Sequence, residues 1–191
     1  MFTEFYEGGF YHVYGRGVDK RLVYEEDADK RFFLSRVCKY QRDEMGECVE
    51  VVAFCLMDNH YHMLIRQANK RGVTRFMRKL LTSYVMYFNR KYERTGTLFE
   101  STFKRKCVDT DGYLGNVVRY IHLNAVDLMS DKEATPKQIL KFVKEYEWSD
   151  ASEYIDSRGG LSDFFDDISY RDFLYGELLF PRSDLGAGFE V

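Results

Sequence analysis

Three stretches between Gly9 and Arg66 are dominated by apolar or alternating residues, and two between Gly72 and Asn124 return an apolar residue every third or fourth position. Gly9-Phe10-Tyr11-His12-Val13-Tyr14 predicts a first strand, ended by Gly15-Arg16-Gly17. Asp27 then caps a helix over about 28–41, where Phe33, Val37 and Tyr40 recur at helical spacing. Residues 48–57 and 60–66 predict an antiparallel hairpin turning at Asp58-Asn59, in one sheet with the first strand. A second helix over 72–91 buries Val73, Phe76, Met77, Leu80, Leu81, Tyr84 and Phe88 along one stripe and carries Arg71, Arg75, Arg78 and Lys79 on its other side. Residues 103–108 predict a fourth strand with Lys104 and Lys106 on one face, before Thr110 caps a third helix reaching about 124. The order βαββαβ defines an α+β fold, the ferredoxin-like split arrangement, with an antiparallel sheet and helices on one face. Beyond Asp127 the pattern shortens to amphipathic pieces around 137–143, 149–156 and 170–179, a helical C-terminal tail. This sets a main domain at 1–127 and an acidic helical appendage at 128–191.

Composition adds little to that picture, but the distribution of charge changes it. The net charge of −3 conceals twelve basic residues against Glu93 and Glu100 between Arg66 and Lys106, whereas fifteen acids face seven bases from Asp127 to Val191. A segregated basic block interleaved with Tyr and Phe is what a polyanion-binding groove requires, rather than a merely solvated helical face. The chain opens with neither a basic start nor an apolar run, and no stretch approaches membrane-spanning length, so the expectation is a cytoplasmic protein without a membrane partner. Cys38, Cys48, Cys55 and Cys107 form no Cys-X-X-Cys pair and are expected to be reduced.

His60 and His62 are the first candidates for chemistry, because a strand projects residues two apart onto the same face. On the third helix Leu114, Val117, Val118, Ile121 and Ala125 form an apolar stripe, and Tyr113, Asn116, Tyr120 and Asn124 form a second one beside it. Should that second stripe face the histidines, Asn124 can give an oxygen to a cation and Tyr120 can bring its phenol alongside. Two nitrogens, one oxygen and open positions suit Mg²⁺ or Mn²⁺ bridging to a phosphate oxygen. A phenol of pKa near ~10 needs such a charge nearby to attack as phenolate at neutral pH. His122, two residues from Tyr120, points to another side and reads as structural, and His12 reads as a packed strand histidine. Arg16, in the glycine turn, reads as a phosphate contact.

Five ordered motifs then resemble one family. They are Tyr11-His12-Val13-Tyr14-Gly15-Arg16-Gly17, Leu56-Met57-Asp58-Asn59-His60-Tyr61-His62-Met63-Leu64, Gly96-Thr97-Leu98-Phe99-Glu100-Ser101-Thr102-Phe103-Lys104, Arg119-Tyr120-Ile121-His122-Leu123-Asn124-Ala125-Val126 and Tyr146-Glu147-Trp148-Ser149. In this order they resemble the REP-associated tyrosine transposases, within the single-tyrosine HUH transposases of the insertion-sequence type. The resemblance implies that His60 and His62 bind metal, that Tyr120 is the nucleophile and that Asn124 is the third ligand. It departs where family members carry Pro at the positions of Asp58 and Ala125, and a Gln- or Arg-containing stretch at Glu100-Ser101-Thr102. The function expected is a metal-dependent endonuclease and strand transferase on single-stranded or hairpin DNA, with a 5′-phosphotyrosine intermediate. Arg16, Arg75, Arg78, Lys79, Lys104 and Lys106 would bind DNA. The alternative is a domesticated nucleic-acid-binding protein that recognises repeat hairpins without cutting. Monomer and homodimer both stay open, because the tyrosine helix can complete the metal site of its own chain or of a partner.

Overall fold

The computed structural model describes residues 5–43, 46–108, 111–131 and 133–156, without the side chains of 43, 46 and 111–113. In chain order the elements are β1 (Phe10–Arg16), α1 (Asp27–Tyr40), the short strands β2 (Arg42–Asp43) and β3 (Gly46–Glu47), β4 (Val49–Met57), β5 (His60–Gln67), α2 (Gly72–Lys91), β6 (Lys104–Val108), α3 (Asp111–Leu123), α4 (Pro136–Glu145) and α5 (Ala151–Asp156). Single 3-10 turns lie at Val18–Lys20 and Asn124–Leu128. The long strands form one sheet in the order β4-β5-β1-β6, with β1 antiparallel to both β5 and β6. With α1 and α2 as crossover helices, this is the ferredoxin-like α+β arrangement that the hydrophobic pattern predicts. The β2–β3 pair is an addition that two-residue strands are too short to signal. Thr110, expected to cap α3, and the expected helix at 170–179 lie outside the described residues.

The chain divides into two compact units, one of residues 1–52 and 56–109 and one of Ala53–Cys55 with residues 110–191. The hydrophobic pattern sets its boundary at 127, and the compact units divide before α3.

In the first unit, the register of the sheet separates two unlike faces. Phe10, His12, Tyr14 and Arg16 of β1 lie across from Arg66, Leu64, His62 and His60 of β5, and Tyr14, His12 and Phe10 lie across from Lys104, Lys106 and Val108 of β6. The intervening residues Tyr11, Val13, Tyr61, Met63 and Ile65 are buried and form the opposite face. That face is the core, because Tyr61 meets Phe33 of α1 and Phe99, and Phe99 in turn meets Tyr84 of α2. Gly15 lies opposite Tyr61, and a Cβ there would sit 2.8 Å from the phenol oxygen, so glycine lets the ring lie flat on β1. Gly72 opens α2 for the same steric reason, since a Cβ would fall 1.8 Å from the Cys48 carbonyl oxygen. α1 begins one residue earlier than its pattern suggests. Glu26 stands at the N-cap position expected of Asp27, and buried Asp29 completes a capping box as its third helical residue, accepting the backbone N–H groups of Glu25 and Glu26 together with Lys91, Tyr87 and Tyr92 from the end of α2.

In the second unit Leu114, Val117, Val118 and Ile121 of α3, and Ala125 in the 3-10 turn after it, are all buried. His122 is buried here too, and its Nε2 lies 2.9 Å from Asp150 Oδ1, which also accepts the Phe54 N–H at 2.8 Å. Cys55 pairs with Ser149 in an isolated bridge next to this bond. The histidine therefore holds a junction of backbone and side chain, a structural role of the kind its helical position predicts.

Candidate functional site

The turn that delivers the histidines is held from three directions. The Asp58 carbonyl accepts the N–H groups of Val23 and Tyr24, and the Asn59 carbonyl accepts that of Gly17. Lys30, almost wholly buried, donates to Asp58 Oδ1 at 2.8 Å. Asp58 thus has a buried partner, and β5 leaves a corner held by hydrogen bonds and an ion pair.

His60 and His62 follow on one face of β5, their ring centroids 5.1 Å apart and their planes nearly perpendicular at 87°. His60 Nδ1 lies 2.6 Å from Asn59 Oδ1, and His62 Nδ1 lies 2.8 Å from His12 Nε2 on β1. The His12 and His62 planes differ by only 17° with centroids 5.0 Å apart, so the two rings meet edge to edge through that contact. All three imidazoles are buried. Burial, aided by the Lys106 charge, pulls His12 down to about 3. Burial pulls His62 well below its ordinary value as well, with His12, His60 and Arg16 adding to the effect. The neutral imidazole is the form in which histidine binds metal.

Five of the expected site residues, Arg16, His60, His62, Lys104 and Lys106, share this one face of the sheet by register. The others fall elsewhere. Arg75 is folded back at the start of α2, donating to Asn69 Oδ1 at 2.6 Å and to the Lys70 carbonyl at 2.7 Å, so its guanidinium holds the β5–α2 connection. Arg78 and Lys79 are exposed and line, with Tyr40, Thr82, Ser83 and Met86, a shallow cleft of about 470 Å³. That cleft belongs to the helical layer, on the side of the sheet away from the imidazoles. A helical wheel shows which flank of α2 is polar, but only the packing of α2 on the Tyr61 face shows which way that flank looks.

Tyr120 and Asn124 belong to the second unit. Tyr120 is half-buried on α3; Asn124 is buried in the 3-10 turn that follows, and its Nδ2 donates to the Tyr120 carbonyl at 2.8 Å. This back-bond spends the amide's nitrogen on the helix end and turns its oxygen into the group left to act as acceptor or ligand. Arg119, one residue before the tyrosine, is buried and donates to Asn116 Oδ1 at 2.8 Å. Among the described residues, no three His, Cys, Asp or Glu side chains gather as a metal cluster.

Sequence reasoning missed Asn59, Lys30 and the partnership of His12 with His62. The last was out of reach, because alternation within each strand puts His12, Tyr14 and Arg16 on the face of His60 and His62 only once the register between β1 and β5 is known.

No curated protein matches the chain. Among solved structures, a REP-associated tyrosine transposase bound to a REP hairpin is similar with a TM-score of 0.59 at 14% identity, over 81% of this chain and 84% of that one, a likeness of fold. Residues 10–124 match the family model described as transposase, IS200-like, a span that takes in more than half of the sequence and runs from β1 through Asn124. The chain belongs to the IS200-like transposase family.

Proposed function

We propose that the protein is a metal-dependent nickase and strand transferase acting on single-stranded or hairpin DNA through a 5′-phosphotyrosine intermediate. The observation that carries this reading is the pair of buried imidazoles on a sheet face that also bears Arg16, Lys104 and Lys106, within a family match that ends on Asn124. His60 and His62 would give two nitrogens and Asn124 one oxygen to a divalent ion, Mg²⁺ or Mn²⁺, whose remaining positions would be left to water and phosphate oxygens. Bound there, the ion would supply Lewis-acid polarisation of the scissile phosphate.

Tyr120 Oη attacks the phosphorus, forming the phosphotyrosine ester as the bond to the 3′ oxygen breaks. The phenol gives up its proton and the departing strand leaves as a 3′-hydroxyl. A 3′-hydroxyl from the same or another strand reverses the step and restores the free tyrosine, so joining needs no nucleotide cofactor. Arg16, Lys104 and Lys106 hold the backbone of the strand being cut, and Arg78 and Lys79 meet a different segment of DNA from the helical side. The REP hairpin bound by the structurally similar transposase supports a hairpin as substrate. The reading requires Tyr120 to reach the imidazole face, in its own chain or in a second copy.

The test is incubation of end-labelled hairpin DNA with Mg²⁺ and denaturing electrophoresis. A protein-linked band in wild type that Tyr120→Phe lacks is the expected result. Tight hairpin binding with no adduct under any metal would leave a recognition protein in place of a nickase.

A further inference from the structure

Asn59 carries an amide whose orientation is fixed by its neighbours: Nδ2 donates to the Lys20 carbonyl at 3.2 Å, which turns Oδ1 toward His60 Nδ1 at 2.6 Å. An amide oxygen only accepts, so His60 Nδ1 must carry the ring proton. The neutral ring then has its lone pair on Nε2. At His62 the corresponding nitrogen meets another imidazole, and a contact of 2.8 Å between two ring nitrogens holds one proton, belonging to one ring or the other.

We propose that His12 is a positioning residue that accepts this proton, so that His12 and Asn59 together lock His62 and His60 as Nδ1–H tautomers with both Nε2 lone pairs turned to the site. The assignment rests on the metal-binding reading above and names the groups that make it work in this chain. Histidine ligands in metal sites are oriented by a partner on the other ring nitrogen. Here the two partners differ in kind. Asn59 is a turn residue held by the Lys20 carbonyl, and the same turn is held by Lys30 through Asp58. His12 is buried on the neighbouring strand, and the sheet register places it diagonally across from His62, so the hydrogen bond is set by strand pairing rather than by a loop. The nearly coplanar rings put the proton in the plane of both imidazoles, the direction in which each nitrogen lone pair points.

The experiment is long-range ¹H–¹⁵N correlation on the full chain with ¹⁵N-labelled histidine, free of metal at neutral pH, followed by Mn²⁺ titration. The expected result is the Nδ1–H pattern for both His60 and His62. Asn59→Ala is expected to mix the tautomers of His60 and weaken Mn²⁺ binding about 10- to 100-fold, with Asn59→Asp, which keeps an acceptor, restoring both. His12→Phe is expected to do the same at His62, and His12→Gln, whose amide oxygen can accept, to recover much of the loss. Circular dichroism establishes that each variant is folded. A wild-type His62 protonated on Nε2, or an Asn59→Ala protein with unchanged His60 tautomer and Mn²⁺ affinity, would overturn the assignment. Wild-type protein that shows both Nδ1–H patterns and takes up no Mn²⁺ would uphold the tautomer lock and remove the metal reading instead.

Discussion

Lowering the pH from 7.5 to 5.0 is expected to strip this protein of stability in an amount set by His12 and His62. Both imidazoles are buried and held below their ordinary value, His12 at about 3. In the unfolded chain they titrate near 6.5. The unfolded state therefore binds protons that the native state refuses, and stability falls as pH drops below 6.5 and goes on falling toward the native values. At pH 5.0 the unfolded imidazole lies ~1.5 units above the solution pH, so His12 removes about 2 kcal/mol at 1.36 kcal/mol per unit, and His62 adds to the loss in the same direction. That is a large part of the ~5–15 kcal/mol that a folded domain has to lose. The assay is guanidinium unfolding of wild type and His12→Phe at several pH values between 7.5 and 5.0. The variant starts less stable at pH 7.5, but its loss on acidification is expected to be about 2 kcal/mol smaller than that of wild type, since one of the two titrating rings is gone. Carboxylates contribute equally to both proteins and cancel in the difference. Parallel pH dependences for the two proteins would refute the reasoning, because they would mean that His12 is not held neutral by burial.

Other outcomes follow from the placement of single side chains. Arg75→Ala is expected to lower stability by about 1–2 kcal/mol, through the hydrogen bonds to Asn69 and Lys70, and to leave hairpin affinity nearly unchanged in a filter-binding titration. Lys104→Ala and Lys106→Ala should each weaken DNA binding and reduce the slope of log affinity against log salt by about 1, measured by fluorescence anisotropy. Asp150→Ala removes the acceptor shared by His122 and the Phe54 N–H, and thermal melts should report about 2–3 kcal/mol of destabilisation from the buried donors left behind.

Amphipathic period alone identified α2, from Gly72 to Lys91, because a twenty-residue helix with one buried stripe offers five turns of consistent signal. The four long strands and their split order were also legible, since each is bounded by glycine or a polar turn and each alternates or runs apolar. What a one-dimensional pattern cannot carry is which polar residues end up on the same side of something. Arg75, Arg78 and Lys79 look equivalent to Lys104 and Lys106 as a run of charge; packing folds the first against its own connection, turns the next two away from the imidazoles, and leaves the lysines beside them.

The sequence by itself determined the element types, the strand parity that sets His60 beside His62, and the chemical kinds of group available for catalysis, because these depend on residues a few positions apart. Only the tertiary structure decided that His12 meets His62, that Asn59 points its oxygen rather than its nitrogen at His60, and that Asp58 has a buried lysine for a partner. Those outcomes depend on strand register and on contacts between residues as many as fifty positions apart, and such distances are settled when the core closes, by which side chains the sheet and its helices force into one small volume.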